Sequence, residues 1–297
     1  MEAIRRIHHI TAIVGDPNEN LRFYRDVLGL RLVKQTVNFD DPGVYHLYFS
    51  NDDVTPGTVI TFFPWTNGRV GRKGSGQVGR IAFRIAAGSM ERWKTHFSGQ
   101  DIEFSMTERF GRETLEFQDV HGLDLALVEG EQASTDDGIL GFHGAVLLSS
   151  NPEGTRHFLT RKLGLKLLDI DSGINHFETT GEEKHHIVIA LPPLPKGRWG
   201  IGTVHHIAWS VPDEAVQRDW QSLLLADGAG VTEVKDRNYF KSIYTTEPGS
   251  VVMEFATDGP GFDVDEEKSK LGTELKLPEQ YEHLRPEYEK SLPELDI

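Results

Sequence analysis

Three short runs in this chain carry residues that could hold a metal ion between them. Ile7-His8-His9-Ile10-Thr11-Ala12-Ile13 lies near the N-terminus, and Val204-His205-His206-Ile207-Ala208-Trp209-Ser210 lies two thirds of the way along. Val251-Val252-Met253-Glu254-Phe255-Ala256 follows, placing Glu254 48 residues after His206. Each run is apolar and β-branched, as strands are. Residues two apart in a strand share a face, so His9, Thr11 and Ile13 point one way. His206 goes with Ala208 and Ser210, and Glu254 with Val252 and Ala256. The bulky set His205, Ile207, Trp209 and Val211 packs on the other side, and His8 is expected opposite His9. A carboxylate inside an apolar strand is costly unless paired or given a cation. The expected ligands are therefore His9, His206 and Glu254. Two imidazoles and one carboxylate on one side of an ion leave three octahedral positions open, the arrangement of non-haem Fe(II) oxygenases. Zn²⁺ held by two His and one Glu is the hydrolytic alternative. A lone strand histidine is ordinarily a core or surface group; two in repeated positions, with a strand Glu, favour a metal.

The elements that must position these residues repeat. The strand at Ile7–Val14 is followed by Asp16-Pro17-Asn18-Glu19, a helix cap with Pro at the first helical position. A helix through Leu21, Phe23, Tyr24, Val27 and Leu28 ends at Gly29. Strands are expected at 31–37, 44–49 and 58–63, giving β-α-β-β-β. The same order recurs from Gly79, from Phe142 and from His205. Leu163-Gly164-Leu165 matches Leu28-Gly29-Leu30. Aligning His9, Arg80, His143 and His206 gives repeats of 71, 63 and 63 residues, an internal repeat. Helices are too few for a doubly wound sheet. The expected fold is α+β: four βαβββ modules forming two half-barrel domains, with 1–130 holding the first pair of modules and 140–257 the second. Module one is expected to meet module four around the metal, and two to meet three around an empty cavity, because Leu125-Ala126-Leu127 offers no carboxylate. His143, His185 and His186 then read as structural. Gly130–Gly141 is the best candidate boundary, Pro192–Arg198 is an exposed connection, and 258–297 is an acidic tail that wraps the outside and could cover a site mouth.

The formal net charge of −15 argues against nucleic acid or an anionic membrane surface as partner. With no cysteine, thiolate metal sites, Cys nucleophiles and disulfides are excluded. No apolar run approaches the roughly 18 residues of a membrane span, and Met1–Arg6 lacks a signal-peptide core. A cytoplasmic location is the expectation; homo-oligomer formation stays open.

The repeat with metal-bearing strands resembles the vicinal-oxygen-chelate (glyoxalase/extradiol dioxygenase) superfamily, and within it the ring-cleaving hydroquinone 1,2-dioxygenases and their relatives. The resemblance rests on His8–Ile13 with Gly15-Asp16-Pro17, on Lys34–Pro42 and on Thr61-Phe62-Phe63-Pro64-Trp65. It continues through Gly202–Ala208, Asp236-Arg237-Asn238-Tyr239-Phe240, Ser242-Ile243-Tyr244 and Glu254–Phe262, essentially end to end. It implies Fe(II), with Mn(II) compatible with the same ligands, on His9, His206 and Glu254. It also implies supporting or substrate roles for His8, Thr11, His205, Arg237 and Tyr244. The activity implied is dioxygenase ring opening of a hydroquinone or related aromatic diol with O₂, in aromatic compound degradation. A glyoxalase-like metal-dependent isomerase or thiol-adduct enzyme, and a metal-free aromatic-binding module, are the alternatives. Taken alone, Arg237 reads as a surface ion pair and Tyr244 as a packed strand residue.

Overall fold

The computed structural model describes every residue except 132, 133, 135–137, 172 and 173. The first module comprises β1 (Ile7–Val14), α1 (Pro17–Arg22) widening into a π-helical turn at Phe23–Val27, β2 (Arg31–Asn38), β3 (Asp41–Ser50) and β4 (Val59–Pro64). Asp16 Oδ1 accepts from the N–H groups of Asn18 and Glu19, and Gly29 takes the positive φ of 68° that ends the helix. The second module runs through β5 (Gln77–Ile85), α2 (Met90–Gly99), β6 (Phe104–Arg109), β7 (Arg112–Gln118) and β8 (Asp124–Glu129). The third has β9 (Ile139–Leu148), α3 (Pro152–His157) with a second π turn at Phe158–Lys162, β10 (Lys166–Asp171), β11 (Ile174–Glu178) and β12 (His186–Ala190). The fourth has β13 (Thr203–Val211), α4 (Glu214–Ala226), β14 (Lys235–Asp236), β15 (Phe240–Thr246) and β16 (Val252–Pro260). Two short helices, α5 (Glu279–Glu282) and α6 (Arg285–Ser291), lie in the tail.

The strands form two curled eight-stranded half-barrels, an α+β architecture. One has the order β14-β15-β16-β13-β1-β4-β3-β2, the other β10-β11-β12-β9-β5-β8-β7-β6. Module one thus joins module four through the antiparallel pair β1–β13, and module two joins module three through β5–β9. Apolar residues on the convex faces bury the helices: Trp220 of α4 stacks on Phe255 at 4.9 Å, and Tyr24 packs on Phe62 at 4.4 Å. The Gly130–Gly141 linker falls in good part outside the described residues. The Pro192–Arg198 connection is exposed, and bridges Arg72–Arg198 and Ser75–Lys196 tie it to the connection between modules one and two. Among the described residues no helix is long and apolar enough to cross a membrane.

The registers correct two expectations. Along β1–β13, Ile7 pairs with Trp209 and His9 with Ala208, so His8 is an extra residue; Thr11 pairs with His206 and Ala12 with Val204, so His205 is another. Both are β-bulges, which re-aim a side chain that strict alternation would send to the far face. In β5–β9 the bulged residues are Gly79, His143 and, at the far end, Leu140, since Ala82 pairs with Gly144, Phe83 with Phe142, Arg84 with Gly141 and Ile85 with Ile139. His143 therefore matches the bulged His8, and Gly144 stands where His9 does. The 135-residue offset between Gly29 and Gly164 likewise carries His9 onto Gly144. Spacing alone could not tell a bulge from its neighbour.

His185, 2 % exposed, stitches the two sheets: its Nδ1 accepts the Ile7 N–H at 2.9 Å. Gly57, at φ 86°, leaves room for the ring, because a Cβ there would sit 2.8 Å from it. Burial, then Arg84, pushes this imidazole down to about 3. The unfolded chain takes up that proton near pH 6.5, so stability falls as pH drops from about 6.5 towards 3, by ~1.4 kcal/mol per pH unit for this one group. Melting temperature followed against pH should show the acid slope, and His185→Gln, which keeps an acceptor, should make it shallower by about one proton.

Candidate metal centre

β1, β13 and β16 lie side by side, with His9, Ala208 and Glu254 in one row across them. Ala208 presents only a methyl between the two polar residues, and His206 stands two positions along β13 on the same face. His9 Nε2 lies 3.2 Å from His206 Nε2 and 3.2 Å from Glu254 Oε2, and His206 Nε2 lies 2.8 Å from that oxygen. All three residues are buried. Adjacent ligands about 2.1 Å from an octahedral ion are about 3 Å apart, so the donor triangle has the size an ion needs. Glu254 Oε1 accepts from Ser242 Oγ, whereas Oε2 accepts no hydrogen bond despite its burial. Burial alone would raise the Glu254 carboxyl, but the facing imidazoles hold it well below the usual carboxylate range. Burial lowers His206, against the pull of Glu254. A buried carboxylate oxygen with no hydrogen bond, facing two imidazole nitrogens, is a donor set short of a cation. The residues fit a divalent metal.

The two bulged histidines hold the ligands. His8 Nδ1 lies 2.8 Å from His9 Nδ1, and His205 Nδ1 lies 2.8 Å from His206 Nδ1. With Nδ1 of each ligating ring engaged, Nε2 is left to face the centre. Burial first, then the adjacent ligand histidine, pushes His8 and His205 each down to about 3, so both partners are neutral. Trp199 stacks on His205 at 4.7 Å and Phe240 edges His8 at 5.0 Å, fixing these rings in turn.

A cavity of about 20 Å³ opens from the triad, walled by Asn38, Phe39, His46, Phe63, Arg237 and Tyr244 among others. Tyr244 stands opposite Glu254 on β15. Arg237 Nε donates to Tyr244 Oη at 3.3 Å while its other end pairs with Asp40 at 2.6 Å. Lys235 also pairs with Asp40, at 2.8 Å, so the β2–β3 tip is latched across the cavity. Burial, then Glu254, raises the Tyr244 phenol, which stays protonated and can donate. Thr11 is one step removed: its hydroxyl lies 2.7 Å from that of Thr61, which meets His46, which meets Tyr48.

The structure thus brings His9, His206, Glu254, Arg237 and Tyr244 to one cavity and sets His8 and His205 behind the ligands. Arg237 is both the ion pair its type suggested and a cavity wall. Sequence reasoning missed Ser242, His46, Asp40 and Phe240. Alternation held a signal for two of them: Ser242 shares a face with Tyr244, and His46 with Tyr48. Asp40 acts across the fold from a turn, where no period helps.

The profile of the Glyoxalase/Bleomycin resistance protein/Dioxygenase superfamily matches residues 6–127 and again 141–262. The chain is 46 % identical over 296 residues to "Putative ring-cleaving dioxygenase MhqO" of Bacillus subtilis, covering 96 % of this chain and 95 % of that one. It is 32 % identical over 308 residues to a chlorohydroquinone/hydroquinone 1,2-dioxygenase of Sphingobium indicum, covering 96 % and 95 %. A crystal structure described as a putative dioxygenase from Bacillus subtilis superposes with a TM-score of 0.96 at 44 % identity, covering 100 % and 99 %.

Adding a divalent metal to stripped protein should raise its melting temperature, with about 2.7 kcal/mol of stabilisation at a hundredfold excess over Kd. Glu254→Ala should abolish that response. His8→Ala and His205→Ala should weaken metal affinity by about 10–100-fold, as losing a ligand's orienting partner does. Titration followed by calorimetry checks both.

Proposed function

The chain belongs to the Glyoxalase/Bleomycin resistance protein/Dioxygenase superfamily, and from that premise we propose that it is an Fe(II)-dependent ring-cleaving dioxygenase acting on a hydroquinone or related aromatic diol with O₂. The observation that carries the reading is the facial triad with its unsatisfied Glu254 oxygen, opening onto a cavity walled by one arginine and one protonated tyrosine. The names of the relatives support the substrate class.

His9, His206 and Glu254 would hold the iron. When bound, it supplies acidification of a coordinated phenol and a place for O₂ beside the ring. The chain's own residues do the rest. Arg237 places a permanent cation next to the cavity, where a phenol that loses its proton leaves negative charge. Tyr244 donates a hydrogen bond to the same region, and Arg237 Nε fixes its hydroxyl. His46, held neutral by burial and engaged at both nitrogens by Thr61 and Tyr48, is a fixed wall. Phe39, Phe63 and Phe240 give the cavity aromatic walls. Para hydroxyls cannot chelate one ion, so the substrate binds through one oxygen. The isomerase alternative calls for a second carboxylate ligand, and among the described residues none joins the triad.

Stripped protein reloaded anaerobically with Fe(II) and given hydroquinones and catechols should consume O₂. Uptake should require Fe(II) and vanish in His206→Ala and Glu254→Ala. Tyr244→Phe should fold normally, keep its metal and lose about 10²-fold in kcat, the usual cost of one oxyanion donor. Stoichiometric iron with no uptake on any diol would overturn the reading.

A further inference from the structure

The cavity at the triad, at about 20 Å³, has room for about one water molecule. A six-membered ring needs far more; a cavity of roughly 150 Å³ lined by apolar side chains takes benzene. On the Arg237 side the cavity is flanked by the Asp40 ion pairs and by Phe39. On the opposite side of the same half-barrel lies a second cavity of about 270 Å³, and Phe240 lines both. Phe240 stands 5.0 Å from His8 and 5.1 Å from His9, so this one ring partitions the larger chamber from the triad. The chamber's inner wall is aromatic and apolar: Tyr239, Phe240, Phe262, Val59 and Leu271, with His8 at its back. Its rim carries the exposed Asp53, Thr55, Pro56, Asp263 and Lys268, with Arg6 paired to Asp258, so the charged groups stand at the mouth and it opens to solvent.

The other half-barrel provides an internal comparison. There a cavity of about 360 Å³ occupies the matching place, with His143 where His8 stands and His186 where Val59 stands. It is lined by Arg84, Arg112, Glu178 and Lys184. A chamber at this position is thus general to the fold, whereas the aromatic lining belongs to the half with the triad.

We propose that the rear chamber is a binding site for a neutral aromatic ring, held there before it passes Phe240 to the triad. The identity of that ring as the diol substrate rests on the dioxygenase reading; the chamber's preference for a neutral ring does not.

The test uses metal-stripped protein and 1,4-dimethoxybenzene, a neutral ring with no acidic hydroxyl to ligate a metal. Methyl NMR should show binding that shifts Val59 and Leu271, and Val59→Trp should abolish it. Val59 is buried in β4, so Leu271→Phe, which narrows the chamber from the tail side, serves if Val59→Trp fails to fold, and should weaken binding about tenfold. In the Fe(II)-loaded enzyme either variant should raise KM for hydroquinone at least tenfold with iron content and kcat little changed. No binding by wild type, or binding and KM unmoved in the folded variants, would overturn the proposal. The two readings separate cleanly: probe bound in the chamber without O₂ uptake sinks the dioxygenase, and uptake with an unmoved KM sinks the chamber.

Discussion

Glu254 is a fully buried carboxylate, and most of what surrounds it can be understood as the answer to that one cost. Taking an ionised carboxylate out of water costs several kcal/mol even after relaxation. The second half-barrel shows how this fold meets the cost without a metal. There Glu116, facing Ala126 across β7–β8 as Tyr244 faces Glu254, pairs with both Arg80 and Arg109 and is held below its usual range despite burial. Around Glu254 no lysine or arginine pairs with the carboxylate among the described residues; two imidazoles and a serine hydroxyl do the facing. One half-barrel brings its own cations, and the other leaves a carboxylate oxygen without a hydrogen bond.

That division depends on single residues at matched positions. His206 becomes Arg80, whose guanidinium reaches Glu116 and fills the interior. His9 becomes Gly144, where any side chain is excluded because a Cβ would lie 1.8 Å from the His186 carbonyl oxygen. The bulges are retained in both halves, yet they act differently. In the half with the triad each bulge turns a histidine back against a triad imidazole, fixing which nitrogen faces the centre. In the other half Gly79 leaves nothing to turn, and His143 stacks on His186 at 4.6 Å instead. The bulge is a property of the fold; the histidine on it is what makes a ligand support.

This explains what could be read from the chain and what could not. The modules and their helix caps followed from local rules: Asp16-Pro17, Gly29 and the repeated apolar strands; the pairing of one with four followed from where His9, His206 and Glu254 lie. The grouping of His9, His206 and Glu254 followed from alternation plus the cost of a strand carboxylate. Alternation failed at His8 and His205 because a bulge inserts one residue without changing composition, so the face of every residue on one side of it flips. It failed at His143 for the same reason. Asp40 and Phe240 were invisible because their roles arise from contacts between β2–β3, β14 and β15, far apart in sequence.

The acidic tail shows the limit of composition in the other direction. An excess of acid after Asp258 reads as a solvated end, yet the tail is bound by specific contacts. Lys34, fully buried, pairs with Asp265 and Glu266, and Tyr239 donates to Asp265 at 3.0 Å. Gln35 bonds the Gly272 carbonyl and bridges to Leu275, so the tail runs along the outer edge of β2. An uncovered edge strand is a template for pairing with other chains, and the tail removes it. The same segment contributes Phe262 and Leu271 to the rear chamber. The acids thus differ in partner: those at 265 and 266 neutralise the buried Lys34, while Asp263 and Glu267 lie exposed without it. Covering the edge and walling the chamber are one act of folding, which is why this segment is held from Lys34 inward rather than left in solvent.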